Sequence, residues 1–124
     1  MTKQRKFQPP SLETTLGQLE QRHRDLLHQI ETVGLVLRGS IGSYRTRCGG
    51  SGCGCATDPD ARHGPYFIWT RKVGGKTVTA MLHDDLAPRL QAWVANMRKL
   101  DRLVKDLQKL GLRAAQAVRK RQKA

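Results

Sequence analysis

Long apolar runs are missing from this 124-residue chain. No stretch of about 18 apolar residues occurs, which excludes a helix able to span a membrane. Hydrophobic residues make up only 38%, below the roughly 45–50% of an average globular domain. That shortfall excludes a thick, many-layered core and favours elements that share narrow seams. Aromatic residues are few, at 5%. Carboxylates are scarce too: ten Asp plus Glu stand against 23 Lys plus Arg, a formal net charge of +13. Such an excess of cations needs a polyanion or a cloud of counterions. Cysteine is limited to Cys48, Cys53 and Cys55. An odd, crowded set argues against a disulfide framework and for a metal or free thiols in a reducing compartment. The start MTKQRKFQPP is basic and lacks the apolar stretch of a secretory signal. The expected location is therefore cytoplasmic, and nucleoid-associated when bound to DNA.

What is present divides a chain of one-domain length into six stretches. Residues 1–10 carry Lys3, Arg5 and Lys6 and end in Pro9 and Pro10, so they read as a flexible basic arm. Residues 11–115 read as the single domain. Ser11 suits a helix N-cap, and the positions Leu12, Leu16, Leu19, His23, Leu26, Ile30, Val33 and Leu37 follow in steps of four and three. A first helix is predicted over 11–38, closed by Gly39, Ser40 and Gly42. Residues 43–65, rich in Gly, Cys, Asp and Pro, read as a Cys/His loop. Residues 66–82 read as a two-stranded β-hairpin turning at Val73-Gly74-Gly75. A second helix is predicted over 84–115, capped by Asp84 or Asp85, with Pro88 in its first turn. Its seam is Leu86, Leu90, Trp93, Met97, Leu100, Val104 and Leu107. Residues 116–124 read as a frayed basic tail.

The fold class expected is α+β and mostly α: a long antiparallel, coiled-coil-like helical hairpin of roughly 40 Å, with the loop and β-hairpin inserted. Leu103 and Leu110 widen the second stripe beyond what one partner helix covers, so a homodimer through the heptad helices is expected.

Cys48, Cys53, Cys55 and His63 form the pattern C-x4-C-x-C-x7-H. Three thiols and an imidazole are the ligands that tetrahedral Zn²⁺ favours, and the glycines between them let the backbone fold round an ion. Four protein ligands leave no place for a reactive water, so such zinc is structural. The alternatives are unliganded thiols and a His63 that only hydrogen-bonds locally at the start of a strand. His23 reads as a core or register-setting residue; His28 and His83 offer nothing specific. Gly74-Gly75-Lys76-Thr77 mimics the end of a phosphate-binding loop, but Thr70 stands where the pattern requires glycine.

The cations are ordered. Arg98, Arg102, Lys105, Lys109 and Arg113 recur in steps of four, three, four and four, which sets them opposite the apolar seam. Arg45, Arg47, Arg71, Lys72 and Lys76 add to the positive surface. Phosphates along a duplex could be met by such a row, and Tyr66, Phe67 and Trp69 could stack on bases. No recognition-helix motif for base readout is visible. Asp58, Asp60, Asp84 and Asp85 sit where turns and helix starts favour Asp for structural reasons. No catalytic residue is assigned, and an enzyme is not expected.

The string RCGGSGCGCATDP, then RHGPYFIWTRKVGGKTVTAML and WVANMRKL, resembles a family of small bacterial proteins of unknown function. The motifs of that family, CG-x3-C-x-C, HGPY, GK-T and W-x-x-N-x-R-x-L, fall here on Cys48, Cys53, Cys55, His63, Gly64, Pro65, Tyr66, Gly75, Lys76, Thr77, Trp93, Asn96, Arg98 and Leu100. Gly54 stands between the second and third cysteines, where many relatives look to have a basic residue. The resemblance implies a setting in mobile genetic elements, beside recombinases or transposases. Together these readings predict a non-enzymatic accessory or regulatory protein that binds nucleic acid, DNA ahead of RNA. The alternative is a coiled-coil interaction module that binds a recombinase or transposase without touching nucleic acid.

Overall fold

The computed structural model describes residues 10–123. The expected arm at 1–10 therefore lies outside the described residues except for Pro10. The elements, in chain order, are helix α1 (Leu12–Glu31), strand β1 (Ser40–Thr46), two single-turn 3₁₀ helices (Gly54–Ala56 and Pro59–Ala61), strand β2 (His63–Val73), strand β3 (Lys76–Leu82) and helix α2 (Ala87–Lys123). The class is α+β. No helix among the described residues is long and apolar enough to cross a membrane. The chain divides into two compact units: one holds α1 to Val33 with α2 from Leu100 onward, the other holds Gly34–Lys99.

In the first unit, Ser11 caps α1 as its chemistry suggests, its Oγ accepting from the Thr14 backbone N–H at 3.1 Å. The helix stops at Glu31, short of the expected 38. Thr32 ends it: its backbone N–H and its hydroxyl both donate to the Gln29 carbonyl, at 3.2 and 2.7 Å. Gly34 two residues later gives helix little reason to resume. The seam positions Leu12, Leu16, Leu19, Leu26 and Ile30 are half-buried, while His23 is exposed at the rim of a groove it shares with Leu16, Leu19, Leu107 and Leu110.

On α2 the predicted seam positions Leu90, Trp93, Met97, Leu100 and Leu107 are half-buried, but the most buried residues lie beside that line. Val94, Leu103 and Leu110 are buried, whereas Val104 is 40% exposed. Leu103 and Leu110 are therefore covered within one chain, and the apolar surplus that suggested a dimer is not left over at those positions. The helix also runs through Gly111 to Lys123, where a frayed tail was expected from 116. One glycine costs a helix about 1 kcal/mol. The Ala, Gln, Arg and Lys that follow are strong helix formers, and they carry it on.

In the second unit the sheet has three strands, not two. The order is β1-β2-β3, antiparallel throughout. Residues 40–46, expected at the end of the first helix and in the loop, pair with β2 as Ser40↔Thr70, Gly42↔Ile68 and Tyr44↔Tyr66. The hairpin turns at Gly74-Gly75, both with positive φ, and Val73 pairs Lys76. Residues 33–39 form no helix. They are tied by Leu37 N–H to the Trp93 carbonyl at 3.1 Å, by Asn96 Nδ2 to the Leu35 carbonyl at 2.9 Å, and by Trp69 Nε1 to the Arg38 carbonyl at 2.9 Å. Leu37 stays half-buried outside any helix or strand. Helix α2 begins at Ala87, after a turn in which Leu86 and Ala87 N–H groups donate to the His83 carbonyl, so neither Asp84 nor Asp85 is its first-turn cap.

Candidate metal centre

The site begins where β1 and β2 part. Thr46 pairs His63 across a register shift after Tyr44, so the first residue of β2 lies opposite a residue only two positions along the chain from Cys48. Between these points the backbone makes a tight excursion. Gly49 and Gly52 hold φ of +74° and +81°, a region that L side chains avoid. The 3₁₀ turn at Gly54–Ala56 carries Cys55 inward to 2% exposure. The next turn, Pro59–Ala61, is capped by Asp58, whose carboxylate accepts from the Asp60 N–H at 3.0 Å. Asp58 thus has structural work, as its position suggested. Gly64, at φ +123°, brings its backbone so close to β1 that a Cβ would sit 2.8 Å from the Tyr44 carbonyl oxygen.

Cys48, Cys53, Cys55 and His63 converge: their ligand atoms all lie within 4.8 Å of one another. The Cys48 and Cys55 sulfurs are 3.5 Å apart, and Cys53 Sγ is 3.3 Å from His63 Nε2. A tetrahedral ion with metal–sulfur bonds of about 2.3 Å holds its sulfurs about 3.8 Å apart, so the observed spread fits the donor set. Backbone donors already point at the sulfurs. The Cys48 N–H donates to Cys55 Sγ and the Gly50 N–H to Cys48 Sγ, each at 3.4 Å. Such N–H···S contacts are the outer-shell support that ligand thiolates use. Arg62, the chain neighbour of His63, has its Nε buried with no hydrogen-bond partner. All three cysteines are free of disulfides. The cluster suits a metal, and its four ligand atoms would fill a tetrahedral coordination.

The expected nucleic-acid residues are distributed between the two units. On α2, Arg98, Arg102, Lys105, Lys109 and Arg113 are all exposed. Lys109 meets Asp106 at 3.8 Å, a surface pair that holds its charge only loosely. Arg45, Arg47, Lys72 and Lys76 are exposed as well. Arg71 is half-buried, its guanidinium 3.9 Å above the Trp69 ring, which commits the cation to a stacking contact. Of the three aromatics expected to meet bases, Phe67 and Trp69 are half-buried and only Tyr66 is exposed. The residue the sequence concealed is Tyr44, whose ring lies 5.6 Å from that of Tyr66. No period-2 signal marks SIGSYRT as a strand, so nothing in the sequence places that ring beside another.

No curated protein and no solved structure matches the chain. A family model described as a domain of unknown function (DUF6788) matches residues 16–92, more than half of the chain, and the chain belongs to that family.

Proposed function

We propose that this chain is a non-enzymatic nucleic-acid-binding protein, with DNA as the preferred polymer, that serves as an accessory or regulator of a mobile genetic element in the cytoplasm or nucleoid. Zinc is the proposed ion at Cys48, Cys53, Cys55 and His63. Three thiolates and one imidazole are its preferred partners, and a closed tetrahedron makes the role structural. The observation that carries the binding reading is the row of five exposed cations on α2 in a chain of net charge +13. A row of this kind meets phosphates without reading bases. Exposed cations are also an ordinary solvated helix face, so the balance of the whole chain, not any one arginine, supports the reading.

The test is retention on duplex DNA at low salt. Wild-type protein is expected to bind, and the triple variant Arg98→Glu, Arg102→Glu, Lys105→Glu to lose at least tenfold in affinity while keeping its helical circular dichroism. Unchanged retention of the triple variant would remove the reading.

A second reading is favoured by the exposed apolar residues of the helices, among them Leu27, Leu112 and Val118. In that reading α1 and α2 form a coiled-coil-like hairpin that pairs with a second copy or with a recombinase or transposase. A chain that shows no salt-dependent retention yet migrates as a dimer would favour it.

A further inference from the structure

Resting on the nucleic-acid reading, we infer that the open face of the three-stranded sheet is a binding surface for unpaired nucleotides, distinct from the cationic row on α2. Side chains alternate along a strand, and the register sorts this sheet. Trp69, whose Nε1 is spent on the Arg38 carbonyl, and Arg71 above its ring point to one side. Tyr66, Thr70 and Lys72 occupy the other. Across the strands that second side is laid out in rows: Tyr44 with Tyr66, then Gly42 and Ile68 with Met81, then Ser40 and Thr70 with Thr79, then Lys72 with Thr77.

Each row offers a different contact. Tyr44 and Tyr66 are 39% and 37% exposed, with tilted rings at 46° to one another. Two rings so placed offer π-faces to bases. Met81, 67% exposed, supplies apolar surface beside them. At the far end Ser40, Thr70, Lys72 and Thr77 border a depression of about 420 Å³ at the sheet margin that Arg38, Gly39 and Arg71 also line. Hydroxyls and an ammonium round a concavity of that size suit a phosphate. From Tyr66 to Lys72 is six residues of strand, about 20 Å, room for several nucleotides. A stacking platform at one end and cations at the other is the combination that holds single strands. A buried duplex base presents no free π-face, so the rings gain only on unpaired nucleotides.

Binding of the full-length protein to a labelled oligothymidylate of about twelve nucleotides and to a mixed-sequence duplex, followed by fluorescence anisotropy, separates this surface from the α2 row. The pair Tyr44→Leu, Tyr66→Leu is expected to weaken single-strand binding by roughly tenfold or more. Its duplex binding should stay within twofold of wild type. Tyr44→Phe, Tyr66→Phe keeps both rings and should bind the single strand as wild type does, which separates stacking from folding. Lys72→Glu should weaken the single-strand complex by a larger factor than the duplex one. Leucine variants that bind the single strand normally would overturn the inference and leave the α2 reading standing, provided the triple α2 variant still loses the duplex. Equal losses on both polymers would also overturn it, as would rings that prove to join two copies of this chain. Failure of the wild-type chain to bind either polymer would overturn both readings together.

Discussion

Asn96 shows how a single polar residue fixes this chain. Its Nδ2 reaches 61 residues back to the Leu35 carbonyl at 2.9 Å and holds extended backbone against α2. Asparagine gains little on a helix surface, which already marked it as unusual in the sequence, although its partner could not be read there. Asn96→Leu removes the donor while keeping the volume, and is expected to cost about 1 kcal/mol in urea unfolding. Gly39 is the sharper case. A Cβ there would lie 2.4 Å from the Thr70 carbonyl oxygen and 2.6 Å from Trp69 Nε1, at φ +118°. Gly39→Ala should therefore destabilise by more than about 2 kcal/mol. Gly74→Ala, also at positive φ but with nothing within 4 Å, should lose about 1 kcal/mol, for conformation alone. Equal losses at the two glycines would show that the close approach at Gly39 carries no weight.

At the scale of elements, an ion held by Cys48, Cys53, Cys55 and His63 would decide how rigid the region between β1 and β2 is. Residues 47–62 contain no strand and only two single turns of helix, so bonds to the proposed ion would be their main source of rigidity. Chelation is expected to raise amide exchange across 48–62 by at least tenfold and to leave α1 and α2 protected. Cys53→Ser should do the same without a chelator. Loss of helical signal on chelation would mean that the cluster supports far more than its own loop. The clustering of Cys48, Cys53, Cys55 and His63 was readable from spacing and chemistry alone because soft donors among glycines have few other uses. Strand β1 was not. Ser40, Gly42 and Ser43 have weak strand preferences, and the segment is extended because β2 supplies its partners, a tertiary effect no local pattern carries. The α1 seam and Ser11 cap were plain in the sequence. The end of α1 was not, because Leu37 keeps a seam spacing while half-burying itself outside any helix or strand beside Trp93. On α2 the period was right and the line is broader than the seam: Leu90, Trp93, Met97, Leu100 and Leu107 are half-buried, Val94, Leu103 and Leu110 are buried beside them, and Val104 is exposed. A stripe of adjacent leucines fits two phases equally well, and only the packing chooses between them.

For the whole molecule, charge dominates. A net +13 spread over 124 residues, with few carboxylates to neutralise it, makes attraction to polyanions general and strongly screened by salt. The family match stops at residue 92, so Trp93, Asn96 and the α2 cations lie beyond it. Their role rests on this chain's own structure. Dependence of duplex affinity on salt concentration measures how many phosphates the surface neutralises. For the five α2 cations the logarithm of the binding constant should fall linearly with the logarithm of salt, at a slope on the order of −4. Each cation removed should make that slope shallower by about 0.9. A slope near zero, or one indifferent to the α2 substitutions, would contradict the claim that this face meets nucleic acid.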